Sequence, residues 1–148
     1  MDILTSLQLL STVPTLKVDG GNWPVFKRKF ETYMESAGLE DHFTKSNYPA
    51  ERYEDIAAEP MKEANETDDD LKKRMGVWND GEAKWKEDAR TWKKEDAKAR
   101  AALGKVVPDS IYMEISESKT FHKMWDAMEV YIKRISPHQK SNLKYHLD

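Results

Sequence analysis

Histidine is the side chain best suited to metal binding and to proton transfer near neutral pH, and this chain of 148 residues carries four. No two of them stand four residues apart, as two ligands on one helical turn would, and no HExxH sequence is present. The chain has no cysteine, which removes thiolate ligands, disulfides and thiol nucleophiles. We therefore predict no metal site and no cofactor. The histidines, expected on the surface, are His42, His122, His138 and His146.

Carboxylates are abundant, but their arrangement is typical of solvated helix faces rather than of a catalytic centre. The stretch DDDLKKRMGVWNDGE lacks the DxDxDG spacing of an EF-hand calcium loop. Gly20-Gly21 before a helix could bind an anion, yet no GxGxxG or GK[ST] motif is present, and no GxSxG motif marks a nucleophile. We predict that the protein is not an enzyme and that it has no catalytic residue, no cofactor-binding residue and no small-molecule substrate.

The charge balance argues against direct binding to nucleic acid. The net charge is −3 and residues 47–70 are strongly acidic, whereas affinity for phosphate comes mostly from lysine and arginine. Acidic residues balance each basic cluster; these clusters are Lys27-Arg28-Lys29, Lys72-Lys73-Arg74 and Lys93-Lys94. No apolar run approaches the roughly 18–20 residues of a membrane-spanning helix, and we expect a cytoplasmic protein without a membrane partner.

The aromatic residues predict helices, because they recur every three or four positions. The first helix covers residues 23–37, with Asn22 as its N-cap, Pro24 in its first turn and Gly38 as its C′ residue. Trp23 could be a core anchor or an exposed binding platform. The regular aromatic stripe that follows it favours the core.

The rest of the chain continues the helical pattern. A short helix is predicted near residues 50–58, and a longer one after Thr67 is expected to break or bend at the NDG of residues 79–81. The most regular helix covers about 82–105 and carries tryptophans at heptad spacing. The further predicted helix starts are Pro108, Thr120 and a restart at Ser136-Pro137.

Together these segments predict an all-α fold, a compact bundle of five to seven helices that an extended amino-terminal arm precedes. The large apolar side chains of the helical stripes are expected to share the core of this bundle. The predicted core residues are Trp23, Phe26, Phe30, Trp85, Trp92, Leu103, Trp125 and Met128.

Three segments resemble the Gag polypeptide of copia-type LTR retrotransposons. LKVDGGNWPVFKRKFETYMESAGLEDHF at 16–43 is similar to its amino-terminal segment, which leads from a glycine and an asparagine into an aromatic helix. WKKEDAKARAAL at 92–103 and SKTFHKMWDAMEVYIKR at 118–134 resemble two later helices of the family, in the same order. Phe26 stands where the family often has tryptophan, Phe121 replaces a common small residue, and residues 47–78 have no obvious counterpart.

The resemblance implies a lobe like the amino-terminal lobe of retroviral capsid proteins. The arm would cover residues 1–21 and the lobe 22–135, with an acidic insertion at 47–78, and residues 136–148 would start a linker helix to a second lobe. Such a protein self-associates weakly into a shell and does not catalyse a reaction. RNA would be reached only indirectly, through other parts of Gag.

The resemblance also directs attention to two surfaces for self-association. One is the mixed-charge outer face of the first helix, and the other is the arm, whose leucines either pack on their own bundle or reach a neighbouring copy. The candidate residues are Ile3, Leu4, Leu7, Leu10, Lys27, Lys29, Glu31 and Glu35. The alternative function is a monovalent helical adaptor, such as a host-domesticated Gag, that binds a partner peptide in a groove between helices.

The charge balance generates a first prediction, that this chain alone binds single-stranded RNA poorly. Because the net charge is negative, we expect a dissociation constant weaker than about 1 μM at physiological salt, within the usual range of nonspecific contacts. Fluorescence anisotropy with a labelled RNA, repeated at several salt concentrations, measures this. Tighter binding would show that the basic clusters act together despite the surrounding acids.

Overall fold

A computed structural model describes the main chain of residues 3–45 and 59–147, and the side chains of 7–45 and 59–135. Over these residues the chain forms five α-helices and one 3-10 helix and no strand, which confirms the predicted all-α fold of five to seven helices. The elements are α1 (Ile3–Ser11), α2 (Trp23–Ser36), the 3-10 helix (Glu40–Phe43), α3 (Asp68–Val106), α4 (Asp109–Ile115) and α5 (Phe121–Leu147). The short helix predicted near 50–58 lies outside the described residues.

The chain divides into two compact units. The first unit comprises Met1–Ser46 and Asp96–Asp148, and the second comprises Asn47–Glu95. Helix α3 has residues in both units, since the division falls between Glu95 and Asp96.

Helix α2 ends in the predicted glycine cap. Gly38 has a positive φ of 72°, which glycine adopts without steric cost. Its N–H donates to the carbonyl of Glu35 at 3.1 Å, and the N–H of Leu39 donates to the carbonyl of Met34 at 2.8 Å. This pair of bonds is the Schellman motif, and it satisfies carbonyls that the helix itself leaves open.

Asn22 occupies the predicted N-cap position of α2, but its side chain makes no capping hydrogen bond there. Its Oδ1 accepts the main-chain N–H of Lys17 at 2.9 Å, and its Nδ2 donates to the carbonyl of Thr15 at 2.9 Å. The side chain therefore fastens the preceding extended segment against the start of α2. Pro24 lies in the first turn, as predicted.

The amino-terminal segment packs into the first unit. Leu10, Val13 and Leu16 are buried members of its apolar core. The N–H of Leu16 donates to the carbonyl of Val106 at 2.8 Å, which satisfies one of the carbonyls left open at the end of α3.

Helix α3 runs without a break through residues 79–81, so the predicted interruption is wrong. A glycine inside a helix costs only about 1 kcal/mol relative to alanine. The tryptophans on either side of Gly81 lie at heptad spacing and favour one continuous amphipathic helix. At the start of α3 the hydroxyl of Thr67 accepts the N–H of Asp70 at 3.2 Å, which confirms the predicted cap.

The last two helices begin where the sequence predicts. Pro108 directly precedes α4, and the hydroxyl of Thr120 accepts the N–H of Lys123 at 3.3 Å at the start of α5. Helix α5 then continues past Ser136-Pro137, so the predicted restart is wrong. A proline removes one main-chain hydrogen bond from a helix interior, and here the helix extends on both sides of it.

In the second unit, Arg74 holds the segment that precedes α3. Its Nε and Nη2 donate to the Glu66 carboxylate at 2.7 and 2.8 Å, and Nη2 also reaches the carbonyl of Met61 at 2.8 Å. The hydrogen bond from Arg74 lowers the pKa of Glu66 below its usual range. The second turn of α3 and the segment before the helix are thus joined by one guanidinium.

The core of the first unit centres on stacked aromatic rings. The ring of Phe30 lies 5.8 Å from Phe26, 6.0 Å from Phe121 and 5.5 Å from Trp125, measured between centroids. These separations suit offset stacking. Of the predicted core residues, the buried members of this cluster are Phe26, Phe30, Leu103, Trp125 and Met128, and Trp23 packs half-buried against it.

Trp85 and Trp92 are not members of this cluster. Both belong to the second unit, where Trp92 is buried and Trp85 half-buried. Heptad spacing places the tryptophans on one face of α3. It does not determine which apolar cluster each tryptophan joins. The row of apolar residues on this face contains residues of both units, because the division falls between Glu95 and Asp96.

A second prediction follows from the aromatic cluster. Replacing Phe30 by alanine should lower the free energy of unfolding by about 3–5 kcal/mol, because the ring is fully buried and its removal leaves a cavity. Val25→Ala is the matched control on the same helix. Its side chain is 54% exposed, and the expected change is within about 0.5 kcal/mol. Urea denaturation of the three proteins measures both values, and equal midpoints would contradict the central position of Phe30.

Candidate functional site

A buried carboxylate joins three elements of the first unit. Asp96 on α3 is only 5% exposed. Its Oδ1 accepts a hydrogen bond from Nδ1 of His42 in the 3-10 helix at 3.4 Å, and its two oxygens lie 3.1 and 3.3 Å from the main-chain N of Phe121. Arg100, one turn further along α3, donates Nε to Oδ2 at 3.0 Å. Asp96 therefore satisfies an N–H at the start of α5 while it holds the 3-10 helix.

These partners determine the protonation of Asp96. Burial alone would raise the pKa of this carboxyl, but hydrogen bonds from His42, from the Phe121 N–H and from Arg100 outweigh it and hold the pKa below its usual range. Two expectations are corrected here, because His42 is 1% exposed rather than on the surface, and Asp96 is not on a solvated face. Phe121 and His42 lie 25 and 54 residues from Asp96 along the chain, so no local spacing revealed these two partners.

His122 forms a second link between the same elements. Its Nδ1 donates to the carbonyl of Phe43, the last residue of the 3-10 helix. Its Nε2 lies 3.5 Å from a carboxylate oxygen of Asp126, one turn further along α5. The end of the 3-10 helix is thereby fixed beside the first two turns of α5.

A groove of about 310 Å³ lies between α2, the 3-10 helix and α5. Phe43 and Trp125 supply its aromatic surface, and five carboxylates and one ammonium group surround them. We call it the acidic groove. Its lining residues are Lys27, Glu31, Glu35, Glu40, Phe43, Thr44, Trp125, Asp126 and Glu129. Such a charge balance suits a cationic ligand and repels phosphate.

Three of the predicted self-association residues lie together in this groove. Lys27, Glu31 and Glu35 follow one another at intervals of four, which places them on one face of α2. Lys29 is exposed but is not part of the groove lining. The sequence did not identify the acids that α5 and the 3-10 helix contribute, because they are brought to α2 only by the packing of the first unit.

The leucines of the arm do not behave as one set. Leu10 is buried in the core of its own unit, in agreement with the self-packing alternative, whereas Leu7 is 50% exposed. The side chains of Ile3 and Leu4 lie outside the described residues. Leu7 is thus the member of this set that the described side chains leave open to another molecule.

Among the described residues, no helix combines the length and the apolar character needed to cross a bilayer. No group of three or more histidine, aspartate or glutamate side chains in that part of the chain could hold a metal ion.

A family model described as the gag-polypeptide of LTR copia-type matches residues 30–148. The match covers most of the chain, so the protein belongs to this family, and the suspected family is confirmed. The match includes the segments 92–103 and 118–134 and the part of the segment 16–43 that follows residue 29. Comparison with curated proteins and with solved structures gives no match.

The Asp96 contacts generate a third prediction. Asp96→Asn keeps the size of the side chain but presents an amide donor to groups that are themselves donors. The free energy of unfolding at neutral pH should fall by about 1–3 kcal/mol. The matched control is Asp88→Asn, an exposed position on the same helix, for which we expect no measurable change.

The pH dependence of unfolding provides a second test of the prediction for Asp96→Asn. Because the folded-state pKa of Asp96 lies below its ordinary value of about 3.9, the ionised carboxylate stabilises the fold fully above that value. This contribution is lost as the pH falls through the folded-state pKa. The difference in stability between the wild type and Asp96→Asn should therefore narrow in acid. A constant difference, in urea denaturation at a series of pH values, would show that the charge of Asp96 is not involved.

Proposed function

We propose that this copia-type Gag chain is a structural assembly module of the capsid type. Copies of it associate weakly with one another and build a protein shell, a virus-like particle, around retrotransposon RNA. The observation that carries the proposal is the family match over residues 30–148, because the family at large has a structural role. Weak contacts suffice for such a module, since a lattice multiplies them.

The composition of the surface supports contact with protein rather than with RNA. A net charge of −3 and an acidic groove disfavour direct binding to phosphate. In this proposal RNA is contacted by other parts of a Gag polypeptide, and the chain's principal partner is another copy of itself. The absence of cysteine is typical of a reducing compartment, and the cytoplasm is the proposed place of assembly.

The domain organisation proposed from the resemblance completes this function. The lobe of residues 22–135 carries the assembly contacts, the segment 47–78 is an insertion into it, and residues 136–148 begin the connection to a second lobe. The arm of residues 1–21 contributes to its own unit at Leu10, Val13 and Leu16, which form part of the core.

A monovalent adaptor is the second candidate function. The acidic groove between α2, the 3-10 helix and α5 favours it, since a partner peptide could lie there. An adaptor binds its partner once and has no reason to bind its own copies.

Concentration dependence separates the two functions and is the fourth prediction. Sedimentation equilibrium of this chain from micromolar to millimolar concentrations should show weak, reversible self-association, and fusion to a second copy through a flexible linker should strengthen it by avidity. A chain that remains monomeric over the whole range would contradict the assembly function and favour the adaptor.

A further inference from the structure

We infer that the acidic groove of one copy receives the basic outer face of α2 from a second copy. This basic face comprises Val25, Arg28, Lys29 and Thr32, all of them exposed. The inference rests on the proposed assembly function and names the two surfaces that meet.

The groove is built for a cation carried on a protein surface. Its lining acids come from three elements: Glu31 and Glu35 from α2, Asp126 and Glu129 from α5, and Glu40 from the 3-10 helix. The lining has five carboxylates and one ammonium group, that of Lys27, so its formal net charge is −4. The half-buried ring of Phe43 adds an aromatic surface on which a guanidinium or a lysine stem packs favourably, whereas Trp125 beside it is only 4% exposed.

The basic face has the complementary chemistry. Positions 25, 28, 29 and 32 have the i, i+3, i+4, i+7 spacing of one helix face, and no acid stands among them. Val25, which is 54% exposed, supplies an apolar contact beside the two cations. Charge complementarity between two surfaces of one chain is the observation that selects a second copy as the occupant.

A single copy cannot bring these two surfaces together. With 3.6 residues in each helical turn, the centre of the basic face is rotated about 110° around α2 from the centre of the row of Lys27, Glu31 and Glu35. Arg28 lies on the side nearer the row, and Lys29 lies on the side away from it, so the basic face as a whole points to a different side of α2 from the groove of its own molecule. A contact between two different patches is heterologous, and repetition of it generates a ring or an open lattice. Added salt should weaken the contact, because exposed charges carry it.

Charge inversion tests the pairing. Glu31→Lys with Glu35→Lys inverts the groove, and Arg28→Glu with Lys29→Glu inverts the basic face. Each double variant alone should associate at least about tenfold more weakly than the wild type, because like charges then meet. An equimolar mixture of the two should recover association, since every groove then finds a face of opposite charge. Sedimentation velocity measures association, and thermal melting confirms that each variant is folded.

The matched control is Glu114→Lys with Glu117→Lys, which changes the net charge equally at exposed positions outside the groove. It should associate like the wild type.

Three kinds of result contradict the inference. If the wild-type chain associates and both inverted variants associate equally well, the inference is overturned and the proposed function is unaffected. Loss of association in both variants without recovery in the mixture, or equal loss in the control, also overturns it. If the groove binds an oligoarginine peptide but inversion of its charges leaves self-association unchanged, the inference is overturned, and the groove binds a partner other than a second copy. A wild-type chain that is monomeric at every concentration overturns the proposed function as well.

Discussion

The first unit depends on the buried carboxylate of Asp96. A buried charge is costly unless hydrogen bonds compensate it, and here a histidine, a main-chain N–H and a guanidinium do so. The three partners come from the 3-10 helix, the start of α5 and α3 itself. Because one side chain satisfies all of them, the positions of these elements are not independent: moving any one leaves a donor or the carboxylate unpaired. Apolar packing around Phe30 stabilises the first unit, and the hydrogen bonds of Asp96 fix where the 3-10 helix and the start of α5 lie against α3.

The acidic groove is a consequence of that arrangement. Asp96 and His122 set the 3-10 helix beside α5, and α2 covers the remaining side through the rings of Phe26 and Phe30. The same Trp125 that closes the core from within forms part of the groove surface. The groove therefore lies directly over the aromatic core. The carboxylates that line it belong to α2, the 3-10 helix and α5 rather than to loops. A rigid site of this kind suits recognition of another protein surface.

A structural role at the level of the copia-type Gag family agrees with the chemistry of the described residues. Hydrogen bonds within each unit explain the lowered pKa values of Asp96 and Glu66, and burial explains the raised pKa of Tyr33. The described polar surface of the first unit includes the acidic groove, whose formal charge is negative. For an assembly module such a surface is sufficient, because its specificity comes from complementary patches and its strength from repetition.

The sequence alone was sufficient to predict the features that depend on residues a few positions apart. The period of α2, the Gly38 cap, the hydroxyl caps at Thr67 and Thr120 and the all-α class all depend on neighbours within about one or two helical turns. Tertiary structure decided what the side chains of Asn22, His42 and Asp96 bind, the continuity of α3, the separation of Trp85 and Trp92 from the Phe30 cluster, and the assembly of the acidic groove. The contacts of Asp96 and His122 span 25, 54 and 79 residues. Helical periodicity places each of these residues on a face of its own element, but only the packing of elements against one another determines which faces meet.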